Sequence, residues 1–434
     1  MRNSRLWRVL ALLMAFSLVA AACGDDDGDT ADGSDTTEAT DETTEGEELE
    51  PEFDTSTLKI GTVLPETGTL AFLGPPMVNG VEMAIRDINE AGGVLEGDVT
   101  LVAGDGGTDP DVANATVDRL IGSENVNAII GAAASGITRQ IVDKVTGAGV
   151  LQCSASNTAA DLRNAGNDGF YFRTAPSDDL QGPTLAEYVI DDGHANVAVL
   201  VRADEYGVGF ADYVTQALED GGATVVYNEQ YDPNATNFDA EVQAIAAESP
   251  DAIVLISFEE GVQIIQGMIE AGIGPADVPL YIADGLATGD LGELIDPANP
   301  GVAEGIKGTL PSAAPESGAA FFPDAFAEFA PGVDAIYSSQ AYDCAILIAL
   351  AAHQAGSSDP AEIRDNMAPV SSEGTKCTTF AECKQLIDDG EDIDYDGASG
   401  PIEFDESDPG VGAYDLVEYD ADGTQQVVEQ VVAE

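Results

Sequence analysis

Residues 126–153 read VNAIIGAAASGITRQIVDKVTGAGVLQC, and the architecture follows from how this stretch alternates. Residues 126–130 form a short run, apolar apart from Asn127, the mark of a strand covered on both faces. After a loop of small residues, Ile137, Ile141, Val142 and Val145 recur at helical spacing across 136–146, and 149–153 is again apolar. Strand, helix, strand within so few residues is the unit of a parallel sheet covered by helices.

The same alternation extends in both directions. Upstream, Leu58–Val63 reads as a strand. Pro75 and Pro76 then open a helix carrying Val81, Ala84, Ile85 and Ile88, closed by Gly92 and Gly93, before a strand at 99–103 and a helix at 110–121. Downstream, a second series begins at Leu180, with helices at 180–191, 208–220, 238–248 and 260–271 alternating with strands at 196–201, 223–227, 251–257 and 279–283. A strand at 305–310 follows, then helices at 317–329, 338–355, 360–367 and 380–389, and short strand patterns at 401–404, 413–419 and 425–431. The reading is α/β throughout, with two doubly wound, Rossmann-like lobes.

The chain ahead of this region has a different character. Arg2, Arg5 and Arg8 precede an apolar run from Val9 to Ala22, the order of a secretory signal and too short for a membrane span of roughly 20 apolar residues. The run ends in Ala20-Ala21-Ala22-Cys23-Gly24, which resembles a lipoprotein processing site, so residues 1–22 are expected to be removed and Cys23 to carry a lipid on the outer face of the cell membrane. Residues 24–54 hold fifteen Asp and Glu and no Lys or Arg, so 23–56 is expected to be a disordered, charge-extended tether.

A formal charge of −65 disfavours nucleic acid, and it opposes direct docking on anionic headgroups, leaving the lipid anchor as the expected membrane attachment. Of the five Cys, Cys377 and Cys383 are close in sequence and are expected to pair, export permitting disulfides; Cys153 and Cys344 can be buried thiols or a second bridge. Two His and no Cys-x-x-Cys argue against zinc. Neither His194 nor His353 stands in a triad context, no Gly-x-Ser-x-Gly surrounds any candidate Ser, and no phosphate-binding loop is present, so no catalysis and no cofactor are expected.

Phe172-Arg173-Thr174-Ala175-Pro176-Ser177-Asp178-Asp179-Leu180-Gln181-Gly182-Pro183, with Gly61–Pro65, Ala84–Gly93, Asp204–Gly209 and Tyr395–Pro401 in this order, resembles the branched-chain amino-acid binding proteins of ABC importers, which share the type I periplasmic-binding-protein fold with amide, urea and aromatic-acid binders. The resemblance implies lobe 1 from 57–176 and 311–398 and lobe 2 from 177–310 and 399–434, joined by a three-segment hinge that closes on a small ligand. It further implies a monomer that delivers its ligand to a permease and ATPase, or, on the same fold, a sensor feeding a receptor. Ser135, and Ala155 and Ser156 after the next strand, are expected to hold the ligand's charged ends, hydroxyls and helix-start N–H groups being suited to a carboxylate. Tyr206 and Phe258 are expected to close over the ligand, Asp284 to pair with an α-ammonium, and Phe72 and Leu73 to touch its side chain.

Overall fold

The computed structural model describes residues 51–433 apart from 52, 313–319 and 406; Cys23, the signal segment and most of the tether fall outside the described residues. The first series is β1 (Lys59–Val63), α1 (Gly74–Glu90), β2 (Thr100–Val102), α2 (Pro110–Gly122), β3 (Ala128–Gly131), α3 (Ser135–Gly147), β4 (Leu151–Ser154) and β5 (Tyr171–Arg173). The second is α4 (Asp178–Asp191), β6 (Asn196–Arg202), α5 (Glu205–Asp220), β7 (Thr224–Tyr231), α6 (Asp239–Glu248), β8 (Ala252–Ile256), α7 (Gly261–Ala271), β9 (Leu280–Ile282), α8 (Leu291–Ile295) and β10 (Lys307–Pro311). Then follow α9 (Phe322–Phe329), α10 (Ser338–Ala355), α11 (Pro360–Met367), β11 (Thr375–Cys377), α12 (Phe380–Asp388), β12 (Ile393–Gly397), β13 (Gly400–Pro401), β14 (Phe404–Asp405), β15 (Asp408–Pro409), β16 (Gly412–Tyr419) and β17 (Gln425–Ala433).

Two sheets organise these elements. The first is fully parallel in the order β2-β1-β3-β4-β5. The second runs β7-β6-β8-β9-β10 in parallel and is extended at the β10 edge by antiparallel β16 and β17. Both parallel portions therefore use one strand order, second, first, third, fourth, fifth. The order reverses between β1 and β3 in one lobe and between β6 and β8 in the other, and such switch points open a crevice at the strands' carboxyl ends.

Local chemistry supports each element. The runs Ala128–Gly131 and Ala252–Ile256 are buried at every position, as strands with helices on both faces must be. Asp109 caps α2 by accepting from Asp111 N at 2.8 Å, with Pro110 at the first helical position; Asp204 caps α5 by accepting from Gly207 N at 2.9 Å. Helix α10 is buried along Ser338–Ala352, apolar nearly all round, and packs between α1 and α11 in the first lobe. Its contact with α1 is backbone-close: a Cβ on Gly80 would lie 2.3 Å from the Ser338 carbonyl oxygen. Cys153 of β4 and Cys344 of α10 form a disulfide, and Cys377 and Cys383 form another.

The chain passes between the sheets after β5, after β10 and ahead of β16. The last crossing falls between Pro409 and Gly412, whereas the family resemblance implied a change of lobe at 399. Gly400–Pro401 pairs with Asp396–Gly397, the Phe404 ring sits edge-on to Phe172 at 5.1 Å, and Asp408 is ion-paired with Arg173, all beside the first sheet. The buried guanidinium of Arg173 requires a carboxylate, and holding Asp408 keeps this segment with lobe 1. Strands β5, β11, β12 and β15 were also beyond the expected set; β5 and β11, at three residues each, and β15, at two, are too short to show a period.

Candidate functional site

Every expected ligand-site residue follows a parallel strand on its carboxyl side: Phe72 and Leu73 in the turn between β1 and α1, Ser135 after β3, Ala155 and Ser156 after β4, Tyr206 after β6, Phe258 after β8 and Asp284 after β9. The two switch points thus contribute their loops to one interlobe crevice.

On the first lobe the structure builds an anion-receptive corner. Helix α3 begins at Ser135, where Ile137 N and Thr138 N both donate to Ala134 O, at 3.1 and 3.0 Å; the N–H groups of Ser135 and Gly136 have no intrahelical partner. The preceding loop is pinned by its neighbours. Ser154 Oγ donates to Ala132 O at 2.8 Å, Ser156 Oγ to Ala133 O at 3.2 Å, and Asn157 Nδ2 to both carbonyls at 3.1 and 2.7 Å. Ser135 Oγ accepts from Ala159 N at 3.3 Å, leaving its own proton to donate. Ser156, having given its proton, retains lone pairs. Ala155 between the two strand-end serines is 1% exposed.

Arg173 holds this corner from behind. Its side chain is fully buried, with Nη1 donating to Asn157 O at 3.1 Å and Ala159 O at 2.8 Å, while Nε and Nη2 each meet the Asp408 carboxylate at 2.6 Å. The bidentate fork fixes the loop that fixes Ser135.

On the second lobe Asp284 is the centre. One carboxylate oxygen accepts from Gln181 Nε2 at 2.9 Å and Tyr206 OH at 3.1 Å; the other accepts from Tyr337 OH at 2.7 Å. Its donors are all neutral, and among the described residues no Lys, Arg or His forms an ion pair with it. Burial therefore pushes its carboxyl above the usual range, against the opposing pull of these hydrogen bonds. Burial, and then the nearby Asp284 charge, hold the Asp178 carboxyl well above that range also. Tyr206 stacks on Phe258 with centroids 5.4 Å apart, and the Arg202 guanidinium carbon stands 3.5 Å above the Phe258 ring centroid.

Tyr206 thus touches both Phe258 and Asp284, and Ser135 and Ser156 stand on two loops hydrogen-bonded to each other. Phe72 and Leu73 form a turn packed on the first-lobe core, Leu73 buried and Phe72 half-buried. Gln181, Tyr337 and Arg173 make hydrogen bonds at the candidate site that residue-level reading did not assign. Gln181 and Arg173 lie inside the 172–183 stretch, so their neighbourhood was marked; Tyr337, at a left-handed φ of 58° ahead of α10, had no local signal. Tyr337 belongs to the first lobe through α10, so its bond to Asp284 joins the lobes across the crevice.

A two-lobed α/β protein with this repeated strand order, its candidate residues at the strand ends of both lobes, has the type I periplasmic-binding fold. The sequence pattern of the periplasmic binding proteins matches residues 57–424, and the chain belongs to that family. It is 30% identical over 197 residues to the Leu/Ile/Val-binding protein BraC3 of Rhizobium johnstonii, a match covering 45% of this chain and 53% of that relative, about half its length. It is 27% identical over 359 residues to the chemotactic signal transduction system substrate-binding protein BasB of Halobacterium salinarum, covering 80% of this chain and 83% of that one. Among solved structures, the branched-chain amino acid transporter substrate binding protein LivJ from Streptococcus pneumoniae, in complex with isoleucine, superposes with a TM-score of 0.72 at 24% identity, over 87% of this chain and all of that one.

Proposed function

We propose that this protein is the extracytoplasmic solute-binding subunit of an ABC importer, tethered by lipid at Cys23, and that it captures a small α-amino acid between its lobes. The observation that carries the reading is Asp284: a buried carboxylate at a strand end, supplied with three neutral donors and, among the described residues, paired with no basic side chain. A ligand ammonium supplies the missing counter-charge, and in a closed, water-poor cleft that pairing is stronger than in solvent. The start of α3, with Ser135 and Ser156, receives the carboxylate. Ligand bridging the two sides draws the lobes together in proportion to its preference for the closed form.

Calorimetry with a panel of α-amino acids and their des-amino analogues tests this. Asp284→Asn is expected to weaken α-amino acids at least tenfold while leaving des-amino acids little changed; no binding of any α-amino acid to the native protein would refute the assignment. The likeness to a chemotactic substrate-binding protein favours one second reading, a sensor feeding a receptor. Capture of a permease complex by the ligand-loaded protein distinguishes the importer role from it.

A further inference from the structure

We infer that the β17 edge of the second sheet is a docking site for another protein, receiving an extended segment in which apolar residues alternate with Lys or Arg. Strand β17 pairs with β16 on one side and with no described strand on the other, so its outward N–H and C=O groups are open to a further strand. Of the five large apolar side chains exposed among the described residues, three stand on this one strand: Val427, Val428 and Val432, at 60, 53 and 52%. The opposite edge of the sheet, β7, exposes Asn228, Glu229 and Gln230 instead.

Natural edge strands are blunted by shortness, by Pro, by Lys or by bulges. β17 has nine residues, neither Pro nor Lys, and a single bulge at Val428, which opposes no residue of β16. Beyond the bulge, Glu429–Ala433 runs in unbroken register with Gly412–Leu416, leaving roughly 17 Å of regular edge for a partner strand. By the same register Val427 and Val432 stand on one face, opposite Val417 and Ala413, and Glu429 stands on the other, opposite Leu416.

On the Glu429 face a groove of about 590 Å³ lies between β17 and α4, with Leu180 and Pro183 on its helical wall. Its lining also holds Asp179, Glu187, Asp191, Asp192 and Glu429, and no Lys, Arg or His. Arg163 and Lys307 pair with Asp179 and Asp192 at 3.0 and 2.7 Å, whereas Glu187, Asp191 and Glu429 have no ion-pair partner among the described residues. Burial, and then the charges of Glu418, Asp192 and Glu429, hold the Tyr188 hydroxyl above its usual range, so acids of both walls converge on it. Successive side chains of an added strand point to opposite faces. Cations on one face then meet these carboxylates, while apolar residues on the other cover Val427 and Val432. A second copy of the chain brings its own Glu429 and a formal charge of −65 to the contact, and residues 24–54 bring fifteen more acids, so neither suits this groove.

The test is fluorescence anisotropy of labelled peptides on the full chain at physiological ionic strength. The probe is a peptide of four Val-Lys repeats, compared with Gly-Lys and Val-Glu repeats of the same length and with two forms N-methylated at every Val or at every Lys. The Val-Lys peptide is expected to bind at least tenfold more tightly than the Gly-Lys and Val-Glu peptides, and at least one methylated form should lose tenfold, because a methylated edge cannot donate to β17. Val428→Lys on the strand and Glu187→Lys on the helix, both exposed positions, should each weaken the Val-Lys peptide at least threefold with unchanged melting temperature. Equal binding of Gly-Lys and Val-Lys shows attraction by charge alone and overturns the inference. So do full binding of both methylated forms, indifference to both variants, and absence of binding. Light scattering on the protein without peptide decides the remaining occupant: a dimer that Val428→Lys dissociates assigns the edge to a second copy and overturns the inference, and a monomer agrees with it.

Discussion

Asp343 shows how one buried acid is held and what it costs. It accepts from Tyr395 OH at 2.6 Å, Ala398 N at 2.8 Å, and Ser399 N and Oγ at 2.7 and 2.6 Å, tying α10 to the turn between β12 and β13. Burial nevertheless outweighs these bonds and pushes the carboxyl up from 3.8 to about 6. The folded protein thus binds this proton more tightly than the unfolded chain. The stabilisation is present in full below pH 3.8 and is lost as pH rises through 6, a change on the order of 3 kcal/mol. Asp343→Asn removes the titration. The melting temperature of the native protein relative to this variant is therefore expected to fall between pH 4 and pH 7 in thermal scans, and a difference independent of pH would refute the account. Asp284 works on the same balance, except that its counter-charge is expected from a ligand.

Among the elements, β4 and α10 are joined most firmly, by the disulfide between Cys153 and Cys344 across 191 residues of chain. The bridge restricts the unfolded chain far more than the short Cys377–Cys383 link, whose separation is 6. Replacing Cys153 and Cys344 by Ala is expected to cost about 3–5 kcal/mol in denaturant unfolding, against roughly 2 kcal/mol or less for the other pair. An equal loss from both pairs would show that restriction of the unfolded chain is not the main source of their stabilisation. Because β4 ends at Ser154 and α10 begins just after Tyr337, the first bridge also holds in one body the elements that present Ser156 and Tyr337 to the crevice.

Across the whole molecule, the proposed closure would depend on contacts between lobes such as the Tyr337–Asp284 bond. A hydrogen bond to a charged group contributes about 1.5–3 kcal/mol. Tyr337→Phe is accordingly expected to weaken ligand binding at least tenfold, chiefly through faster dissociation, and to raise the radius of gyration of the ligand-loaded protein in small-angle scattering; unchanged kinetics and scattering would assign Tyr337 to packing alone. At this scale the division between sequence and tertiary structure becomes plain. The α/β class, the two wound series and the strand-end placement of Ser135, Ser156, Tyr206, Phe258 and Asp284 were legible in the chain, because hydrophobic period and turn residues are local quantities. The last crossing was not, because it depends on Arg173 meeting Asp408 235 residues away. Neither were Tyr337 and Gln181 as partners of Asp284, nor the pairing of Cys153 with Cys344. A side chain's hydrogen-bond partners and its exposure to water are set by what folds against it, and those neighbours come from distant parts of the chain.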